Sequence, residues 1–151
     1  MQSAVEEGNG LKIALDEISV IRMLIVPHAG YIYSGKTAAL AYQLLQKFKN
    51  KIRRVLMLGP AHRVWLTGAA FPEADSFETP LGQITLDRGL MEKMLEDYSW
   101  ITVNDQAHVE EHCLEVQLPF LQETLNDFKI CLLYTSPSPR DLSTSRMPSS
   151  A

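Results

Sequence analysis

Apolar and polar residues along this chain follow two rhythms. Residues 21–26, Ile-Arg-Met-Leu-Ile-Val, form an apolar run broken only by Arg22 and closed by Pro27, the composition of a buried parallel strand. Beyond a loop over 28–35, Ala38, Ala41, Tyr42, Leu45 and Phe48 take up helical spacing, with Ser34 placed to cap the helix. Residues 55–58 return to the strand pattern and stop at Gly59-Pro60. Strand, helix and strand at this spacing predict a right-handed βαβ unit.

The alternation continues. Residues 68–71 read as a weaker strand, and Thr79-Pro80-Leu81-Gly82 as a turn ahead of a strand at 83–86. A helix is expected from Asp87, with Leu90, Met91, Met94, Leu95 and Tyr98 on its inner face, then a short strand at 101–103. Residues 108–125 read as a last helix with Leu114, Leu118, Leu121 and Leu125 on one side, kinked or interrupted by Pro119. Ahead of all this, Gly8-Asn9-Gly10 marks a turn. The pattern as a whole predicts an α/β fold, a mainly parallel sheet flanked by helices.

Composition changes this picture at one end. The 151 residues carry a net charge of −4 and 46% hydrophobic residues, as expected of one globular domain. The last 21 residues, however, hold six Ser and three Pro, and no period continues past Tyr134. The strings CLLYTSPSPRD and SRMPSSA within them resemble a sequencing adapter and a flow-cell primer translated in one frame. Residues 131–151 are therefore expected to be a non-native tail, and residues 1–130 to be the domain. Those 130 residues carry 12 Lys+Arg against 17 Asp+Glu and a single cysteine, Cys113. The acidic balance argues against a nonspecific nucleic-acid binder. No apolar run approaches the roughly 20 residues that span a bilayer, and no signal peptide is evident. A cytoplasmic location follows as an expectation.

Three motifs compete to carry chemistry. Residues 30–37, Gly-Tyr-Ile-Tyr-Ser-Gly-Lys-Thr, satisfy the phosphate-loop pattern, with Lys36 on the phosphates and Thr37 on magnesium. Bulky Tyr31, Ile32 and Tyr33 sit where the backbone must curl, and the next strand ends without an acidic metal ligand, so an ordinary strand-to-helix connection is favoured. His108-Val109-Glu110-Glu111-His112 fits H-x-x-E-H, which on one helix would set two imidazoles on a zinc ion with Glu111 on bound water. An acidic helix start accounts for it more simply. The third is distributed: His28 follows one predicted strand and His62 the next, each just after a proline. In a parallel sheet both loops open on the carboxyl edge, where ligands bind. Neighbouring strands lie about 5 Å apart, so the two imidazoles could converge on an ion that suits nitrogen ligands.

Four blocks carry a family resemblance. They are IVPHAGYIYSG at 25–35, LGPAH at 58–62, ETPLG at 78–82 and EHCLEVQLPFL at 111–121. In this order they resemble the Memo family, known in bacteria and archaea as protein B of the AmmeMemoRadiSam system. The resemblance implies a fold similar to the class III extradiol dioxygenases, whose non-haem iron is held by two His and a carboxylate. It implies His28 and His62 as metal ligands, iron or copper as the metal, and His112 as a further polar residue of the catalytic site. Cys113 stands where the family usually has Ser, and the family's remaining metal-site residue, a cysteine in animal members, belongs to a C-terminal half. With the first family segment also missing, the chain is expected to be an incomplete domain, inactive by itself. The resemblance further implies AMMECR1-like and radical SAM proteins as partners and a small-molecule substrate. A binding module for phosphorylated or other anionic ligands is the alternative, and the zinc peptidase and nucleotide binder stand as distant ones. Animal relatives are associated with phosphorylated peptides.

Overall fold

A computed structural model of the chain describes residues 18–136. The turn expected at Gly8-Asn9-Gly10 and the Ser/Pro-rich stretch after 136 lie outside the described residues. Six strands are present among them: β1 (Arg54–Pro60), β2 (Ala69–Phe71), β3 (Ser76–Thr79), β4 (Gly82–Thr85), β5 (Ile101–Val103) and β6 (Lys129–Thr135). The helices are α1 (Tyr31–Gln43), α2 (Arg88–Asp97), α3 (Gln106–Val109) and α4 (Leu118–Thr124). Short 3₁₀ turns, Leu44–Phe48 and Glu115–Gln117, follow α1 and precede α4. No helix among the described residues is long and apolar enough to cross a membrane.

The main sheet has the order β1-β6-β2-β5. The β1–β6 and β2–β5 ladders are parallel and the central β6–β2 ladder is antiparallel, so the sheet is mostly parallel, as the alternation of elements predicts. β3 and β4 form a separate hairpin. The expected turn at 79–82 closes it, and Gly82 supplies the positive φ of 112° that follows Pro80-Leu81. β3 itself has no counterpart in the sequence reading.

The core lies between the sheet and α1, α2 and α4. Leu118, Leu121, Ile130 and Leu132 are fully buried there. Ala38, Ala39 and Tyr42 of α1 are buried as well, and Tyr42 stacks on Phe120 of α4 with ring centroids 5.3 Å apart. Such a pair contributes about 0.5–1.5 kcal/mol beyond its buried area. The helix expected from Asp87 is α2, and Asp87 caps it, its carboxylate accepting from the Leu90 N–H at 3.2 Å.

Several sequence expectations need correction. Residues 21–26 are not a strand, so the first βαβ unit is not formed. Ile21, Leu24 and Val26 pack on the core, but Met23 and Ile25 are 75% and 90% exposed. A cavity of about 830 Å³ is lined by both this segment and β1, and among the described residues no ladder joins the two. Leu56 and Leu58 of β1 consequently remain exposed. The cap of α1 is Gly30, not Ser34, because the Ser34 hydroxyl is turned back to the Ala29 carbonyl at 2.7 Å. With residues 31–37 all helical, no loop remains to wrap a phosphate, and the phosphate-loop reading is withdrawn. The single helix expected over 108–125 is broken into α3, a 3₁₀ turn and α4, with Pro119 in the first turn of α4.

The seam expected at Cys131 falls inside β6. Residues 130–134 are an unbroken apolar run, all buried, and such a run satisfies a strand covered on both faces whatever its origin.

Candidate metal centre

The site forms where three segments meet at the carboxyl end of β1. β1 ends at Pro60, the Ala61 N–H donates to the Thr135 carbonyl at 2.9 Å, and His62 follows immediately. Residues 111–117, between α3 and α4, press against this strand end. Gly59 permits the approach: a Cβ there would stand 2.7 Å from Leu114 Cδ2 and 3.0 Å from Cys113 Sγ. The third segment, residues 26–30, is tethered by the buried Gln117 amide, which donates to the Pro27 carbonyl at 3.1 Å. His28 thereby faces His62, with ring centroids 5.4 Å apart and planes at 36°.

Glu111 is the hub of the arrangement. Its carboxylate is buried, accepts from the His62 N–H at 2.5 Å, the His112 N–H at 3.1 Å and the Cys113 N–H at 3.3 Å, and lies 3.0 Å from His62 Nδ1. Burial alone would raise its pKa, but the bonds from the His62 ring and from the His62 and Cys113 amides outweigh it and hold the carboxyl below its usual range. Cys113 donates to the Pro60 carbonyl at 3.3 Å. Burial and the neighbouring Glu111 push its thiol up to about 12, so the neutral thiol is the ground state. His62, Glu111 and Cys113 each bring a ligand atom to within 4.8 Å of the others, a spacing that could hold a metal ion.

The remaining motif residues are placed differently. His112 is exposed, and its ring pairs with Glu115 at 2.7 Å; among the described residues it makes no ring contact with His28 or His62. His108 sits on α3, its Nε2 within hydrogen-bond distance of the Ala70 carbonyl at 3.2 Å. Since α3 stops at Val109, His108 and His112 do not share a helical face, and Glu111 serves His62 instead. The zinc-peptidase arrangement is therefore not formed. Sequence reading missed Glu111 as a partner of His62, and Gln117 and Gly59 as the residues that hold the segments together. Their common signal is membership of the four blocks, since their partners lie 49 to 90 residues away.

Comparison with known proteins identifies the family. The family model described as Memo-like protein matches residues 2–141. A MEMO1 family protein of Aquifex aeolicus is 43% identical over 114 residues, covering 72% of this chain and 39% of that protein. MEMO1 family protein Ta0237 of Thermoplasma acidophilum is 36% identical over 103 residues, covering 68% and 38%. The Protein memo-1 homolog of Caenorhabditis elegans is 36% identical over 108 residues, covering 72% and 30%. The matched stretch is thus less than two fifths of each of these relatives' length. The match to the family model over most of the chain, with three of the four blocks gathered at the end of β1, makes this chain a member of the Memo-like protein family.

Proposed function

We propose that the chain carries the imidazole part of a metal centre related to that of the class III extradiol dioxygenases. The observation that supports it is the pairing of His28 and His62, 5.4 Å between centroids, at the end of β1. The donor chemistry fits a metal. Among the described residues the His28 ring makes no hydrogen bond, and Glu111 occupies only Nδ1 of His62, so each ring keeps a nitrogen for a ligand. Two imidazoles suit iron or copper, while the neutral Cys113 thiol fits less well. When bound, such a metal supplies Lewis-acid and redox chemistry to a small substrate. The chain's residues hold it and set its position: Gln117 fixes the His28 segment, Gly59 admits residues 113–114, and Glu111 fixes His62. AMMECR1-like and radical SAM proteins are the partners this reading proposes.

The test is a Co²⁺ titration, with Co²⁺ as a spectroscopic stand-in for Fe(II), of the chain and of His28→Ala and His62→Ala. The expected result is at least about tenfold weaker binding in each variant. Unchanged affinity in both would remove the proposal.

A second reading rests on α1, which starts three residues after His28 with no side-chain cap and no acidic residue in its first turn. Its free amides and His28 would hold a phosphorylated or other anionic ligand without turnover. Calorimetry with inorganic phosphate in metal-free protein distinguishes the two, because the metal reading predicts no heat.

A further inference from the structure

We infer that Glu111 is a positioning residue for His62: its buried carboxylate accepts a hydrogen bond from the Nδ1–H of that imidazole and leaves Nε2 as the nitrogen available to a metal. The inference deepens the metal-centre reading and rests on it for the consequence at the metal. The tautomer can be read without one.

The direction of the Glu111–His62 bond follows from the other bonds of the carboxylate. Three of its four partners are the backbone N–H groups of His62, His112 and Cys113, which can only donate. A proton on Glu111 would compete with these donors for a buried acceptor, and buried polar groups of this kind are satisfied as acceptors. The fourth partner, Nδ1 of His62 at 3.0 Å, must then be the donor. A neutral His62 with its proton on Nδ1 has its lone pair on Nε2. An unconstrained neutral imidazole prefers the opposite tautomer, so the carboxylate makes a choice that the free side chain would not.

The same bonds argue against Glu111 and Cys113 as ligands beside His62, although the three could hold an ion by spacing. Oε1 of Glu111 is approached by three N–H groups and Oε2 by a fourth. An ion taking Oε1 would displace the His112 and Cys113 amides that fix residues 111–113, and one at Oε2 would crowd the His62 N–H already bonded there. The thiol of Cys113 is likewise committed, as a donor to the Pro60 carbonyl. Glu111 and Cys113 form a scaffold behind His62. Carboxylate-to-histidine bonds of this kind orient metal-bound imidazoles, and their loss lowers metal affinity about 10–100-fold.

The test is long-range ¹H–¹⁵N NMR of the histidines in the metal-free chain at about pH 8.5, where an ordinary imidazole is neutral. It is run on the unaltered chain and on Glu111→Gln, Glu111→Ala and Glu111→Asp, each followed by Co²⁺ titration. The expected result is the Nδ1–H tautomer at His62 in the unaltered chain and a shift toward Nε2–H in Gln and Ala. Co²⁺ affinity should fall about 10–100-fold in those two variants, with partial recovery of both readouts in Asp. An Nε2–H tautomer at His62 in the unaltered chain overturns the inference, as does an unchanged tautomer in Glu111→Ala. So does a thiolate-to-cobalt absorption band that is lost in Cys113→Ser, which would make Cys113 a ligand. Should Glu111→Ala fail to fold, the unaltered chain still decides. Failure of the unaltered chain to bind Co²⁺ would count against the metal centre alone, because the tautomer reports on Glu111 independently.

Discussion

Two glycines show how little freedom single positions have here. Gly68 has φ of +86°, and a Cβ there would lie 2.1 Å from the Trp100 carbonyl oxygen. Backbone cannot retreat as a side-chain tip can, so Gly68→Ala should cost more than about 2 kcal/mol in chemical denaturation. Gly59→Ala meets the side chains of Leu114 and Cys113 instead, and should cost about 1–3 kcal/mol while weakening metal binding by pushing residues 113–114 outward. A third residue sets a pH response. Burial lowers the His108 pKa below 6.5, against the opposing effects of the Ala70 bond and Asp105. The unfolded chain then binds the proton more readily, so the contribution of His108 is complete above about pH 6.5 and is lost as pH falls through the folded-state value. Urea midpoints at about pH 7.5 and 5.5 should show this loss, and His108→Asn should flatten the difference.

At the scale of elements, α2 is the clearest case of local sequence fixing local structure. Asp87 caps it and also pairs with Arg54 of β1 at 2.5 Å, although Asp87 is buried and Arg54 largely exposed. Asp87→Ala should lose about 0.5–2 kcal/mol from the cap. Arg54→Ala should be destabilising too, since it strands a buried carboxylate. Urea denaturation of both variants measures these costs. β1, β2, β4, β5 and α2 were legible because period and punctuation agreed at each. The stretch at 106–124 was legible only in part. Leu114, Leu118, Leu121 and Leu125 are all buried as the helical period requires, yet the helix breaks where Glu111 reaches His62 just beyond β1. That break serves a contact 49 residues away, which local periodicity does not encode. The 21–26 run fails for the complementary reason: composition allows a strand, but the segment finds no ladder partner, and pairing is a long-range property that composition does not encode.

Across the whole molecule the sheet is unevenly protected. β6 is flanked by β1 and β2 and carries the buried residues 130–134, whereas β1 has an open edge toward the cavity at 21–26. Hydrogen exchange should therefore be slowest in β6 and fast at residues 21–26; protected amides at 21–26 would mean that the segment does join β1 as a strand. The site sits at the margin of this open side, with His28, Gly59, Pro60 and Cys113 all reaching the cavity wall. His28 and His62 could be picked out in the sequence because each follows a proline in a recognisable block. The scaffold behind them could not, because a carboxylate inside an H-x-x-E-H string gives no sign of which imidazole it serves. The central claim is that metal is held by imidazoles, with Glu111 and Cys113 behind them. X-ray absorption of the Zn²⁺-loaded chain tests it most directly. The account predicts imidazole nitrogen scatterers at about 2.0–2.1 Å and no sulfur; a sulfur scatterer at about 2.3 Å would contradict it.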